Sequence, residues 1–355
     1  MRPDSEKSPF TQIAKKHIET LRHYVKVNEL PISVLEHLLW LEGKTSLLHP
    51  SMYVALGDRL DQFPIRRKRF EKLRKVSDKL GGFDVADSDR ISPEAVEVLN
   101  EFDVNFVPSN WAKNVYLDSG VIAPVEVLPH GIPPSFHKES KGITTPDVKR
   151  LLDLKKASKS IFILYFLTHS GHRKGADLVA EVMRLIWSKY SNVYLVVKHA
   201  EILDPYLGHL RSPKTYFVGR WMSEWELRDL YDLCDILLCP SRGGGFELNA
   251  VEAVSRGLPT LVPNDGCFLD YIDCVIPIEV ERRIKLFPDN PIHIGNGWEV
   301  DINDFYRKLS EVIEHLEDYK AKFKKYAEKI RKRFHWGEIG YKLVLYLKKH
   351  GFLEE

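Results

Sequence analysis

The chain is poor in glutamine and cysteine, has no long apolar run, and is close to electrical balance. Glutamine occurs only as Gln12 and Gln62, beside abundant Lys and Glu, a bias common in heat-adapted proteins. The four cysteines, Cys234, Cys239, Cys267 and Cys274, all lie in the C-terminal half without zinc-type pair spacing. That spacing argues against a zinc site, and buried free thiols in a reducing compartment are expected over disulfides. The longest purely apolar stretch, Ile161–Leu167, is far too short to cross a bilayer and reads as a buried strand. The first residues, MRPDSEKSPF, lack the apolar core of a signal peptide, and the first eight can bury little. A cytoplasmic protein is expected. A net charge of +2 gives no whole-molecule field to attract nucleic acid. Internal repeats and low-complexity tracts are lacking too.

What is present is an ordinary globular composition, 44% hydrophobic and 29% charged, over 355 residues. That length exceeds what one core usually supports, so two domains are expected. In the second half, short apolar runs at 160–167, 193–197, 215–218, 235–239, 259–263 and 274–278 alternate with helical periodicity. Leu178, Val179, Val182, Met183 and Ile186 keep i, i+3/i+4 spacing, and Ser223 with Glu226 forms a capping-box pattern. Strand and helix in repetition predict a parallel sheet with helices on both faces, whose ligands sit at the carboxyl ends of the strands. The first half is less regular. Helices are expected at 11–23, 65–80, 93–101 and 112–119, and strands at 46–56, 83–86, 104–108 and 125–128. The polar stretch 138–159 reads as a linker, residues 305–330 as one long amphipathic helix, and residues 339–348 as a final helix. The expected division is 1–135, a linker over 136–159, 160–335, and a C-terminal segment 336–355.

Two constellations suggest chemistry. In PSRGGGFELNAVEAVSRGLP, a strand ends at Cys239, three glycines follow, and a helix begins near Leu248. Glycines there let the backbone approach a ligand, and the first helical amides favour a phosphate or sugar hydroxyl. Glu252, one turn inside, can accept from a ribose diol. In THSGHRKGADL, Arg173 and Lys174 stand at another strand-to-helix turn, where a departing diphosphate needs cations. Each alone also reads blandly, as a glycine-rich turn and a solvated basic pair.

Together, in order and spacing, these motifs resemble glycosyltransferase family 4, retaining enzymes of the GT-B fold; the likeness runs from about Gly82 onward. The resemblance implies two Rossmann-like α/β domains facing a cleft, the first of them short. It implies a nucleotide diphosphate sugar, UDP- or GDP-linked, as donor, and neither metal nor separate cofactor. Lys174 would hold the diphosphate, with Arg173 or Ser170 nearby. Glu252 would bind the ribose, and Gly245, Phe246 and Glu247 would pass along the donor sugar. Asn249 would lie near the phosphates, Gly219 and Arg220 would flank the base, and Asp87 would face the acceptor. The sequence departs from the family at Gly244, where the first glutamate of a Glu-x7-Glu motif is expected; Glu247 is a substitute. The final helix is expected to cross back to the first domain.

Other features remain. Asp87-Ser88-Asp89 resembles a metal-chelating DxD string, but a turn with an N-cap is the plainer reading. His49, beside Pro50, reads as a structural histidine that can also face the cleft. Seven Arg or Lys lie between Arg66 and Lys75, with Phe70, Leu73, Val76 and Leu80 as an apolar stripe. That helix suits an anionic membrane or phosphorylated lipid as well as plain solvent, and suits nucleic acid poorly. A glycan or lipid-linked acceptor and transfer of a hexose form the leading expectation. A degenerate sugar-nucleotide-binding module, and an epimerase or phosphorylase of the same architecture, are the rivals.

Overall fold

A computed structural model describes residues 9–30, 44–139, 142–168, 170–200 and 204–354. The first eight residues lie outside the described ones, as does His169 of the basic turn.

The first half builds a four-stranded parallel sheet in the order β1-β2-β3-β4, from β1 (Lys44–Leu48), β2 (Ser77–Phe83), β3 (Val104–Val107) and β4 (Val125–Val127). The helices are α1 (Pro9–Leu21), α2 (Ser51–Ala55), α3 (Phe63–Val76), α4 (Pro93–Leu99) and α5 (Asn110–Ser119). The strand expected over 46–56 stops at Leu48, because Pro50 has no amide for a ladder and instead precedes helix α2. The basic helix ends four residues sooner than expected, at Val76, and the chain turns at Ser77 straight into β2. Its apolar stripe is core: Phe70 and Leu73 are buried inside this half, so the outer face offers Lys68, Lys72 and Lys75 with exposed Ile65. Arg67 pairs with Glu101 and Arg74 lies 3.6 Å from Asp103.

The second half is a six-stranded parallel sheet in the order β10-β9-β8-β5-β6-β7. Its strands are β5 (Ile161–Leu167), β6 (Val193–His199), β7 (Thr215–Gly219), β8 (Ile236–Leu238), β9 (Thr260–Pro263) and β10 (Ile276–Ile278). The segment expected as linker contains a 13-residue helix, α6 (Pro146–Ser158). Asp229, on α8 (Glu224–Leu233), accepts from the amides of Thr144 and Thr145, each at 2.9 Å, and so joins α6 to the second half. Helices α7 (Ala176–Lys189) and α9 (Leu248–Ser255) follow the two turns singled out above. The long C-terminal helix is in fact two, α10 (Ile302–Glu314) and α11 (Leu316–Arg333), because His315 leaves helical geometry at φ −116°, ψ 35°. The break lets α10 lie on α7 while α11 lies on α9.

Two structures join the halves. Helix α12 (Trp336–Lys349) packs on α1 so closely that a Cβ on Gly340 would fall 2.1 Å from Thr20 Cγ2. A hairpin of β11 (Val280–Lys285) and β12 (Asn296–Val300) reaches from the second half to the first. The chain between its strands buries Ile292 in the first half's core. Ser92 N donates to Ile292 O at 2.8 Å, and Asp89 N to Asn296 O at 2.9 Å.

Candidate active site

The turn after β5 and the glycine loop after β8 come together at the carboxyl end of the six-stranded sheet. Arg242, only 2% exposed, fixes them. Its guanidinium donates to both Asp177 oxygens at 2.6 and 2.8 Å, to Glu299 at 2.7 Å, and to the His172 carbonyl at 2.7 Å. One side chain thus ties the start of α7 to strand β12. Trp298 adds its indole N–H to the Ser241 carbonyl at 2.7 Å. A residue with five donors in a rigid fork suits such a node. Nothing in the sequence separated Arg242 from the glycines beside it.

Within this frame, Lys174 Nζ donates to Glu247 at 2.7 and 2.6 Å. Arg173, buried, donates to the Gly243 carbonyl at 3.0 Å and lies 3.5 Å from Glu247 and 3.7 Å from Asp87. Burial works against the Arg173 charge, but Asp87 and Glu247 outweigh it and hold its pKa above the usual value. Asp87 belongs to the first half, so the ion cluster spans both. A Cβ on Gly243 would lie 2.3 Å from the Asp87 carbonyl, which explains why glycine is needed there.

Backbone strain collects at the same place. Glu247 at φ 55° and Ser170 at φ 58° are non-glycine residues in left-handed geometry. Glu247 directly precedes α9, but its side chain makes no cap bond to that helix and turns instead to Lys174. A Cβ on Gly244 would meet Glu247 Oε1 at 2.4 Å. The Glu247 carboxylate therefore fills the room that a side chain at 244 would enter.

The other expected residues are placed as follows. Glu252 accepts from Tyr231 at 2.8 Å; part of its side chain meets solvent, yet its carboxyl is enclosed, and desolvation raises its pKa to about 7. Asn249 makes its polar contact with Cys239 Sγ, 3.7 Å away. Phe246 is buried, its ring 5.1 Å from that of His130. Gly245 passes against Val85 of the first half. Gly219 is exposed at the end of β7, while Arg220 is turned aside into a two-pronged pair with Asp147 at 2.9 and 3.0 Å and a bond to Glu226 at 2.8 Å. Arg220 thus braces α6 and α8, and its neighbour Trp221 is 45% exposed. Of the DxD string, Asp89 accepts from Asn296 N at 2.6 Å and Asp87 faces Arg173, so the two carboxylates serve different partners. All four cysteines are free and buried, and no described helix is long and apolar enough to cross a membrane.

Comparison with known proteins bears on this geometry. The family described as Glycosyl transferases group 1 matches residues 153–274. That described as Family 4 Glycosyltransferase in conflict systems matches residues 222–343. The chain is 32% identical over 267 residues to "Putative glycosyltransferase 45" of Sulfolobus islandicus filamentous virus (isolate Iceland/Hveragerdi), covering 72% of this chain and 70% of that one. It is 27% identical over 325 residues to "Uncharacterized protein 356" of Sulfolobus islandicus rod-shaped virus 1, covering 90% and 89%. Among solved structures, "Trehalose-6-phosphate from E. coli bound with UDP-2-fluoro glucose" superposes with a TM-score of 0.63 at 14% identity, over 90% of this chain and 76% of that one. That likeness shows the GT-B fold.

Proposed function

Because this chain belongs to the group 1 glycosyltransferases, we propose that it moves a hexose from a UDP- or GDP-linked donor to a hydroxyl of a glycan, lipid or small-molecule acceptor, with retention at the anomeric carbon. One observation carries the reading: Arg173 and Lys174 both lie against the single carboxylate of Glu247, the residue that precedes α9. Two cations around one anionic position, next to a strand-to-helix turn, are surroundings that suit a diphosphate.

In this reading Lys174 and Arg173 take the diphosphate, with Ser170 and Asn249 beside it, and Glu247 moves from Lys174 toward the donor sugar. Glu252 receives the ribose hydroxyls, and Trp221, rather than the engaged Arg220, faces the base. The bond from the anomeric carbon to the phosphate oxygen breaks as the acceptor oxygen bonds to that carbon. The acceptor proton passes to the departing phosphate oxygen. Arg173, Lys174 and the helix amides offset the gathering negative charge, and Asp87 faces the acceptor. No metal takes part, so chelation with EDTA is expected to leave turnover unchanged. The four-stranded half serves the acceptor, and a reducing cytoplasm suits the free thiols.

A second reading, a sugar-nucleotide binder without turnover, is favoured by the two-oxygen pairing of Glu247 with Lys174, which the donor must displace. A panel of UDP- and GDP-sugars separates the two. Release of nucleoside diphosphate that disappears in Lys174→Ala and Glu252→Ala supports transfer. Binding without release, with acceptors present, supports the module. No binding of any sugar nucleotide overturns both.

A further inference from the structure

A small void lies in the first half, where β2, β3 and β4 end against α1. Its lining includes His17, His49, His130 and Asp84, with Phe83 and Phe106 behind them. His17 is 4% exposed and His49 5%, and His130 is half-buried. Among the described residues, neither ring nitrogen of His17 finds a hydrogen-bond partner, nor does Nδ1 of His49 or of His130. Buried polar atoms left unpaired are costly, and here four of them belong to residues that line one space. That space is about 10 Å³, room for one water-sized group.

The void adjoins the proposed donor site. Val85, which lines it, is 2.9 Å from the position of a Cβ on Gly245. His130 also faces Phe246, the residue before Glu247. A group entering the void therefore belongs to a molecule lying under the glycine loop.

The lining selects for chemistry. Burial pushes His17 and His130 down to about 3 and His49 well below its usual value, so the rings are neutral, each with one donor and one acceptor nitrogen. A hydroxyl, which donates and accepts, matches them. Among the described residues, this lining offers a phosphate no cation. An ammonium would meet Asp84, whose oxygens already accept from Met52 N at 2.6 Å and Val85 N at 2.9 Å.

We infer that a hydroxyl group of an uncharged acceptor enters this void and is read by His17, His49 and His130, so that the acceptor is an unphosphorylated sugar or polyol and not a sugar phosphate. The inference rests on the glycosyltransfer reading above and names its acceptor class.

The test is long-range ¹H–¹⁵N NMR of the imidazoles in the full chain. Probes are glycerol, glucose, galactose and mannose, and the three hexose 6-phosphates. Glycerol or a neutral hexose is expected to shift the signals of His17, His49 and His130, with the 6-phosphates weaker. His17→Phe, which removes both nitrogens, should weaken the neutral probe about tenfold, and His17→Gln, which keeps a donor and an acceptor, should restore most of it. Neutral probes that leave all three rings unmoved, or 6-phosphates that move them equally, overturn the inference and leave the void a structural water site. UDP and GDP, titrated separately into the same protein, report on the donor reading through the amides of residues 171–175 and 247–249. Silence there sinks glycosyltransfer itself; a nucleotide response with silent imidazoles sinks the acceptor inference alone.

Discussion

At the carboxyl end of the six-stranded sheet, Arg173, Lys174 and Glu247 meet as ions in strained backbone, whereas at that of the four-stranded sheet His17, His49 and His130 are held neutral. Both sheets are parallel, and the difference lies in how each end is desolvated. Charges survive burial at the first because cation and anion are within 4 Å of one another. At the second, desolvation removes the charge from each ring. On the readings proposed above, one end takes an anion and the other uncharged hydroxyls, the division of labour a sugar transfer needs.

This contrast can be broken experimentally. The largest effect is expected from Lys174→Ala, which removes a cation from the proposed diphosphate site. Nucleoside diphosphate release should fall by roughly 10²–10³-fold, and retention of wild-type turnover would place the chemistry elsewhere. Next comes Ile292→Ala, which empties a hairpin side chain from the first half's core. A loss of about 2–5 kcal/mol in denaturant unfolding is expected, and an unchanged midpoint would show that the hairpin does not hold the halves together. A smaller effect follows from the Glu252 carboxyl, raised to about 7 chiefly by desolvation. Its stabilising proton is fully present below the ordinary value of 4.5 and is lost as pH rises through about 7. The carboxylate, however, is the form that accepts ribose hydroxyls. Raising pH from about 6 to about 8 should therefore lower the donor KM several-fold while thermal stability declines slightly. Glu252→Gln should flatten both trends. Asp84, also near 7, sits in the neutral pocket, so its titration should appear in acceptor and not donor parameters. The least effect is expected at the basic helix. Partitioning to anionic vesicles in co-sedimentation should weaken by about 1 kcal/mol for each of Lys68, Lys72 and Lys75 changed to Gln; equal partitioning to neutral vesicles would end the membrane idea.

The two halves also differed in how far they could be read in advance. The second half announced itself because apolar runs of strand length are separated by glycine turns and helical periodicity, as at Ile161–Leu167 and Ala176–Lys189. The first half carries few such marks. Its β2, SDKLGGF, adjoins helix α3 without glycine or proline at the junction, so the helical pattern seemed to run on to Leu80. Helix α6 went unseen because Val148 is its single fully buried residue. The break at His315 has no proline or glycine to signal it. For the site, Arg173, Lys174 and Glu252 were visible from their turns. The filling of the Gly244 position by Glu247, and the meeting of histidines 17, 49 and 130, depend on tertiary approach between distant segments and leave no local pattern.

The β11–β12 hairpin has a mechanical consequence. It is rooted through Trp298 and Glu299 in the loops that grip the proposed donor, and its far end is sewn by backbone bonds along residues 89–92. A hinge that swung the halves wide would have to tear that seam and pull Ile292 from a dry core, so entry and exit of substrates must proceed by local loosening of loops within a nearly fixed jaw.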